Sequence, residues 1–109
     1  MFETIKTKAE LDNAIASANG KIVVLDFYAP FCSPCKNLKD QLEKSVDKFS
    51  DKAVIYAVDT DDSDAYDLVV TDHNIRSVPT LVFYKDGVVV DRFVGAMASK
   101  VIEIIEKHS

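Results

Sequence analysis

The sequence contains no tryptophan, three glycines, three prolines and only two cysteines among its 109 residues. So few glycines and prolines exclude a linker or a low-complexity chain, and a hydrophobic fraction of 48% is enough to fill a buried core. We therefore expect one domain that spans residues 1–109. Both thiols lie within one four-residue stretch instead of being scattered to staple loops, which favours a reducing compartment and a chemical role for the pair.

Positive charge is also scarce, because 13 Lys and Arg against 18 Asp and Glu give a formal net charge of −5. A surface that follows phosphates needs clustered cations, so we expect neither nucleic acid nor a membrane as a partner. No stretch approaches the roughly 20 apolar residues of a membrane-spanning helix. The first six residues lack the charged and then apolar pattern of a signal peptide, so we expect a cytoplasmic protein. We also expect it to act as a monomer.

The apolar pattern of the first half predicts strands that alternate with helices. After a short initial strand, the capping-box pair Thr7 and Glu10 precedes apolar residues at helical spacing, and Gly20 is the expected stop of this helix. An almost continuous apolar run over residues 21–28 suits a strand covered on both faces. The next apolar residues recur at steps of four, four and three, which predicts one long amphipathic helix (Leu38, Leu42, Val46 and Phe49).

The second half predicts one more buried strand, a helix, a strand pair and a final helix. The buried strand covers residues 53–58, and acidic turn formers after it begin a helix expected to reach about Thr71. The pair Asp86 and Gly87 separates two further apolar runs, residues 80–84 and 88–94, which is a strong hairpin signal. The order predicts an α/β protein with a central mixed β-sheet flanked by helices.

Both cysteines lie where the first buried strand gives way to the long helix. Their spacing puts Cys32 and Cys35 on one helical turn, within reach of a disulfide. If Cys32 stands at the helix start, unpaired N–H groups and the helix dipole favour its thiolate, so Cys32 is the better nucleophile and Cys35 the resolving thiol. The pair could instead be half of a metal site, but His73 and His108 lie outside the usual zinc spacing, and we expect no metal.

Three kinds of neighbour could adjust this chemistry. Asp26 interrupts the apolar strand; buried, it would have a raised pKa and could take the proton from Cys35, whereas at a strand edge it would face solvent. Between the cysteines, Pro34 rigidifies the first helical turn, and Ser33 either caps the helix or tunes the redox balance. Pro79 either begins a strand as an ordinary trans proline or forms a cis bond beside the site.

Taken in order, these residues resemble the thioredoxin family over almost the whole chain. The matching stretches are Val-Val-Leu-Asp-Phe-Tyr-Ala-Pro-Phe-Cys-Ser-Pro-Cys-Lys, Val-Asp-Thr-Asp, Val-Pro-Thr, Asp-Gly and Val-Gly-Ala. The resemblance implies a thioredoxin fold with a cis peptide before Pro79. It also implies that Cys32 attacks the substrate, Cys35 resolves the intermediate and Asp26 deprotonates Cys35.

The resemblance further implies reduction of protein disulfides, with no bound cofactor and with electrons that reach the Cys32–Cys35 disulfide from NADPH through a thioredoxin reductase. Five residues would form an apolar ledge for an extended client segment (Phe31, Val78, Pro79, Gly95 and Ala96). The chain departs from the family at Phe31 and Ser33, where Trp and Gly are usual, and near Asp40, where a proline kink is usual. The alternatives are an oxidase or isomerase of the same fold and a redox-silent binding module.

Overall fold

The computed structural model describes residues 2–109, and it contains five strands and three α-helices in that range. None of the helices among these residues is long and apolar enough to cross a membrane. The elements are β1 (Glu3–Thr4), α1 (Lys8–Ala16), β2 (Ile22–Tyr28), α2 (Ser33–Lys44), β3 (Ala53–Asp59), β4 (Thr80–Lys85), β5 (Val88–Val94) and α3 (Ala98–His108).

The five strands form one mixed sheet in the order β1-β3-β2-β4-β5. The strands β1, β3 and β2 run parallel to one another, and β4 and β5 are antiparallel additions at the other side of β2. The strand β2 is therefore interior, which explains its almost unbroken apolar sequence. The expected central mixed sheet is confirmed, and the cysteines follow directly from its middle strand.

Two apolar layers cover the two faces of the sheet. Alternate residues of β2 point to opposite faces, so Val24 packs in the layer that contains α2 and α3, whereas Val23 and Leu25 pack in the layer on the α1 side. Burying a side chain of this size contributes about 1.5–3 kcal/mol relative to leaving it exposed. Helix α2, which begins at the redox pair, is thus fixed to the sheet by the buried side chains of Leu38 and Leu42.

The long helix after the cysteines is shorter than its sequence pattern predicts. It ends at Lys44, where the N–H of Ser45 bonds the carbonyls of Gln41 and Leu42, and a 3-10 turn follows at Val46–Lys48. The prediction of one helix through Phe49 is wrong because a 3-10 turn also repeats every three residues and returns Phe49 to the core, where it is buried.

The predicted helix before Thr71 is also not an α-helix. A 3-10 turn at Ser63–Ala65 is capped by the Asp62 side chain, and a π-helical segment follows at Asp67–Asp72. The wider π-helical turn buries two consecutive apolar side chains, Leu68 and Val69. The single-helix prediction failed because apolar spacing alone does not distinguish these helix types.

Two of the remaining turn predictions are confirmed, and one is wrong. The capping box is confirmed, since the N–H of Glu10 donates to Thr7 Oγ1 at 3.1 Å and the N–H of Thr7 donates to Glu10 Oε1 at 3.1 Å. The predicted helix stop at Gly20 is wrong, because the helix ends at Ala16 with Ser17 as its C-cap, and Gly20, with φ +85°, lies in the turn that leads to β2. The hairpin is also confirmed between β4 and β5.

Candidate redox-active site

The two cysteines are joined as a disulfide at the carboxyl end of β2. Their Cα atoms lie 5.2 Å apart, and Cys32 is the N-cap of α2. The N–H of Cys35 donates to the sulfur of Cys32 at 3.2 Å. Ser33 and Pro34 occupy the first turn of α2, so the expectation that Ser33 caps the helix is wrong; the Cys32 sulfur takes that place. A negative charge on this sulfur is stabilised by the amide and by the helix dipole.

The two sulfurs differ in their access to solvent. Cys32 is partly exposed, whereas Cys35 is 3% exposed and packs inside the first turn of α2. Only Cys32 is therefore open to an approaching disulfide or an alkylating reagent. The division between an attacking and a resolving thiol remains a prediction, which this difference in exposure favours.

In the reduced protein, iodoacetamide at mildly acidic pH is expected to label Cys32 first and Cys35 several-fold more slowly. The reagent reacts with the thiolate and not with the thiol. Cys32 is favoured because its sulfur accepts a hydrogen bond from the backbone N–H of Cys35 and because the residue is partly exposed. Peptide mapping by mass spectrometry after short reaction times measures the order. Protein denatured before labelling is the control, in which the two rates should converge; earlier labelling of Cys35 in the folded protein would reverse the assignment.

Asp26 is buried in the middle of β2, so the alternative of a solvent-facing carboxyl is wrong. Its exposure is 3%, and its Oδ1 makes no hydrogen bond within the described residues. Burial raises the pKa of Asp26 to about 7, an effect that the Lys39 ammonium partly offsets. A carboxyl with this pKa exchanges its proton near neutral pH, as a general base for a thiol requires.

A cleft of about 260 Å³ connects Asp26 to the disulfide. Asp26, Cys32 and Cys35 all line it, and Lys36 and Lys39 line it from α2. The cleft has room for water-sized molecules between the carboxyl and the sulfurs. Asp26 and Cys35 therefore face one shared cleft in which a water molecule can carry a proton between them.

The predicted ledge residues lie in three segments, two of which are bonded to each other. The peptide bond before Pro79 is cis, as the resemblance implied, and the carbonyl of Pro79 accepts from the N–H of Gly95 at 3.1 Å. Gly95 has φ +146°, a backbone conformation that other residues rarely adopt, and a Cβ there would lie 3.1 Å from the ring of Phe93. A residue with a side chain would therefore be strained at this position. Val78 and Ala96, beside these residues, are half-buried.

Phe31 differs from the other ledge residues because its side chain is 99% exposed. It directly precedes Cys32, so it presents an apolar ring at the edge of the disulfide without contributing to the core. A fully exposed aromatic ring at such a position is typical of a binding surface. Its predicted contact with a client remains a prediction.

Sequence reasoning missed some of the residues around the site. Lys39 is not among the predicted site residues, although it lies four residues after Cys35 on the same face of the helix, a spacing that indicates a position near the thiols. Val94 and Met97, which flank Gly95 and Ala96, are 58% and 60% exposed and extend the apolar surface there. No sequence signal distinguished Val94 from a core residue, because it ends an apolar strand.

Comparison with known proteins identifies the fold and the family. The model of the Thioredoxin family matches residues 3–107. Thioredoxin-2 of Saccharomyces cerevisiae is 40% identical over 109 residues, which cover 99% of this chain and 99% of that protein. Thioredoxin-T of Drosophila melanogaster is 37% identical over 109 residues, which cover 100% of this chain and 68% of that protein. The X-ray structure of Fasciola hepatica thioredoxin has a TM-score of 0.84 at 32% identity and covers 99% of this chain and 100% of its own.

The sheet is mixed, and a disulfide between cysteines separated by two residues begins the helix that follows its central strand. These features define a thiol–disulfide oxidoreductase of the thioredoxin fold. The chain belongs to the thioredoxin family. Its chemistry is the reduction of disulfide bonds by the Cys32–Cys35 pair, which needs no prosthetic group.

Proposed function

We propose that the protein, as a cytoplasmic monomer, reduces client protein disulfides through attack by Cys32, and that a thioredoxin reductase restores it with electrons from NADPH. The observation that carries the assignment of roles is the asymmetry of the disulfide. Cys32 is partly exposed and its sulfur accepts an amide hydrogen bond at 3.2 Å, whereas Cys35 is buried. One thiol can meet a client, and the other can act only on a partner already bound to it.

The reaction proceeds in two exchanges. The Cys32 thiolate attacks one sulfur of the client disulfide, a mixed disulfide forms, and the other client sulfur leaves as a thiolate and takes a proton. The Cys35 thiolate then attacks the Cys32 sulfur, which forms the Cys32–Cys35 disulfide and releases the second client sulfur. The client gains two electrons and two protons, and this chain loses the same number.

Asp26 acts as the base for the second exchange. It shares the cleft with Cys35, and burial raises its pKa to about 7. The ionised carboxyl takes the proton of the Cys35 thiol, either directly or through a water in the cleft, and so makes that thiol nucleophilic. The neutral carboxyl can then return the proton to the departing client thiolate.

The ledge orients the client for the first exchange. An extended segment that lies along the half-buried residues near the cis peptide can use backbone hydrogen bonds, which suits many sequences. The exposed Phe31 ring adds apolar contact next to Cys32. Ser33 and Pro34, in the first turn of α2, set the backbone between the thiols and thereby tune the redox balance.

The partners follow from the electron count. One disulfide carries one electron pair, so each turnover requires an external two-electron donor, which for this family is a reductase supplied by NADPH. A vicinal pair as the only cysteines in the sequence suits the reducing cytoplasm.

The test is reduction of insulin by the protein with NADPH and a thioredoxin reductase, followed as loss of NADPH absorbance. Turnover that depends on all three components is expected, and the double variant Cys32→Ser with Cys35→Ser is the control that should show none. A reduction potential near the roughly −270 mV known for a thioredoxin is expected, whereas a value near roughly −120 mV would instead indicate an oxidase. If the double variant kept full biological activity, the protein would be a redox-silent binding module and not an enzyme.

A further inference from the structure

A buried histidine outside the redox mechanism holds the segment that leads to Pro79. His73 is 6% exposed, and its Nδ1 lies 2.7 Å from the carbonyl oxygen of Leu68. A carbonyl only accepts, so Nδ1 carries the hydrogen, and in the neutral ring Nε2 accepts from the Tyr84 hydroxyl at 2.6 Å. The ring also packs on Phe27, with centroids 5.2 Å apart. His73 thus joins the π-helical segment to β4.

Arg92 holds the backbone of the same residue from β5. Its Nη1 donates to the His73 carbonyl at 2.6 Å, and its Nη2 donates to the Asn74 carbonyl at 3.1 Å. Two N–H groups of one planar guanidinium therefore satisfy consecutive carbonyls, a geometry that the single ammonium of a lysine does not reproduce. Arg92 lies opposite Val82 in the register of β4 and β5, on the sheet face that carries the α1 layer.

Strand β5 and Gly95, the residue that follows it, are consequently bonded to the two ends of the segment from Asn74 to Pro79. At the start, the Arg92 side chain bonds the carbonyls of His73 and Asn74. At the end, the N–H of Gly95, three residues after Arg92, donates to the Pro79 carbonyl. Apart from Phe31, the ledge consists of the end of this segment and of Gly95 with its neighbour. The Gly95 link joins these two parts, and the Arg92 link holds the start of the segment that carries Val78 and Pro79.

We propose that Arg92 is a positioning residue for the client: its guanidinium holds the segment before the cis peptide in the arrangement that the ledge requires. This inference rests on the ledge of the proposed function. Without the guanidinium the start of the segment samples other arrangements, and the apparent affinity falls by the fraction of time spent outside the competent one. KM for a protein disulfide rises, whereas kcat and the reaction of Cys32 with a small disulfide do not change.

The kinetic test compares Arg92→Met, Arg92→Lys and Lys85→Met. Lys85 is the matched control because its ammonium also donates to a backbone carbonyl, that of Gly20 at 2.8 Å, and its loss changes the net charge equally. Arg92→Met should raise KM for insulin about three- to tenfold at unchanged kcat, with an unchanged rate toward 5,5′-dithiobis(2-nitrobenzoate). Arg92→Lys should lie between Arg92→Met and the wild type. The proposal would be overturned if Arg92→Met left KM for insulin unchanged or affected both substrates equally. It would also be overturned if Lys85→Met raised KM for insulin as much as Arg92→Met does.

A second readout does not depend on any substrate. The N–H groups of Asn74 and Ile75 donate to the carbonyls of Val70 and Val69, at 3.2 and 2.8 Å. Arg92→Met should accelerate hydrogen exchange at these two amides several-fold relative to Lys85→Met. Unchanged exchange would mean that the Arg92 guanidinium does not hold this segment. If the wild type failed to reduce insulin, the proposed function would be lost, yet this measurement would still decide whether Arg92 orders the segment.

Discussion

Replacing Cys32 with serine is expected to reduce the rate of insulin reduction to that of the uncatalysed reaction. The partly exposed sulfur at the start of α2 is the only thiol open to a client, and a serine hydroxyl is not ionised near neutral pH. Cys35 remains in such a variant but is buried behind the first helical turn. The measurement is the initial rate with NADPH and reductase, at protein concentrations matched by absorbance.

Cys35→Ser is the informative comparison because it removes only the second exchange. Cys32 should still attack, and the mixed disulfide with the client should accumulate as a covalent adduct that dithiothreitol releases. Adducts on Cys35→Ser, and none on Cys32→Ser, are expected in non-reducing gels and by mass spectrometry. Adducts formed through Cys35 in Cys32→Ser would contradict the proposed roles.

Asp26→Asn is expected to make the oxidised protein more stable at pH 8 by on the order of 4 kcal/mol. Burial displaces the pKa of Asp26 from its ordinary value of 3.8 to about 7, and one pKa unit corresponds to about 1.4 kcal/mol. Between these two pH values the unfolded chain has lost the proton that the folded chain retains. The contribution of Asp26 to the free energy of unfolding of the wild type therefore falls as pH rises from about 4 to about 7, and the fall is complete above about 7.

Guanidinium denaturation of both oxidised proteins between pH 4 and pH 8 measures this effect. All other groups titrate in both proteins, so the difference between the two unfolding free energies isolates Asp26. The stability advantage of the variant should be largest above pH 7 and should shrink toward pH 4. A difference that does not vary with pH would mean that Asp26 keeps its ordinary pKa.

The same substitution should slow turnover near neutral pH, since the proton of Cys35 loses its acceptor. Substitution of Lys39 changes the pKa of Asp26 without removing the carboxyl, because the Lys39 ammonium lowers that pKa. Lys39→Met should shift the rise of rate with pH to higher pH. Lys36→Met, which removes an equal charge from the same cleft, should leave that rise in place.

The stability and kinetic effects of Asp26 have one cause. A buried carboxyl whose Oδ1 makes no hydrogen bond among the described residues destabilises the fold when it ionises, and the same desolvation gives it a pKa suited to proton transfer. The protein thus retains a residue that lowers its stability at neutral pH. This combination is expected at a catalytic position and not at a structural one.

Local sequence signals predicted the parts of the fold that depend on neighbours in the chain. The capping box before α1 and the Asp-Gly hairpin were both readable because a few consecutive residues determine their backbone geometry. The helix after the cysteines was overextended, and the helix before Thr71 was misassigned. Apolar spacing of three or four residues fits α-, 3-10 and π-helical turns alike, so packing against the sheet decides which one forms.

By itself, the sequence determined the redox pair, the strand that precedes it and the family to which these belong. Only the tertiary structure decided that Asp26 is buried beside the disulfide, that Lys39 reaches the same cleft, and that Arg92 is bonded to the segment before Pro79. The physical reason is distance along the chain. Residues 18 or 19 positions apart, such as Arg92 with Asn74 or His73, meet only after the strands have paired, whereas Cys32 and Cys35 are brought together by a single helical turn.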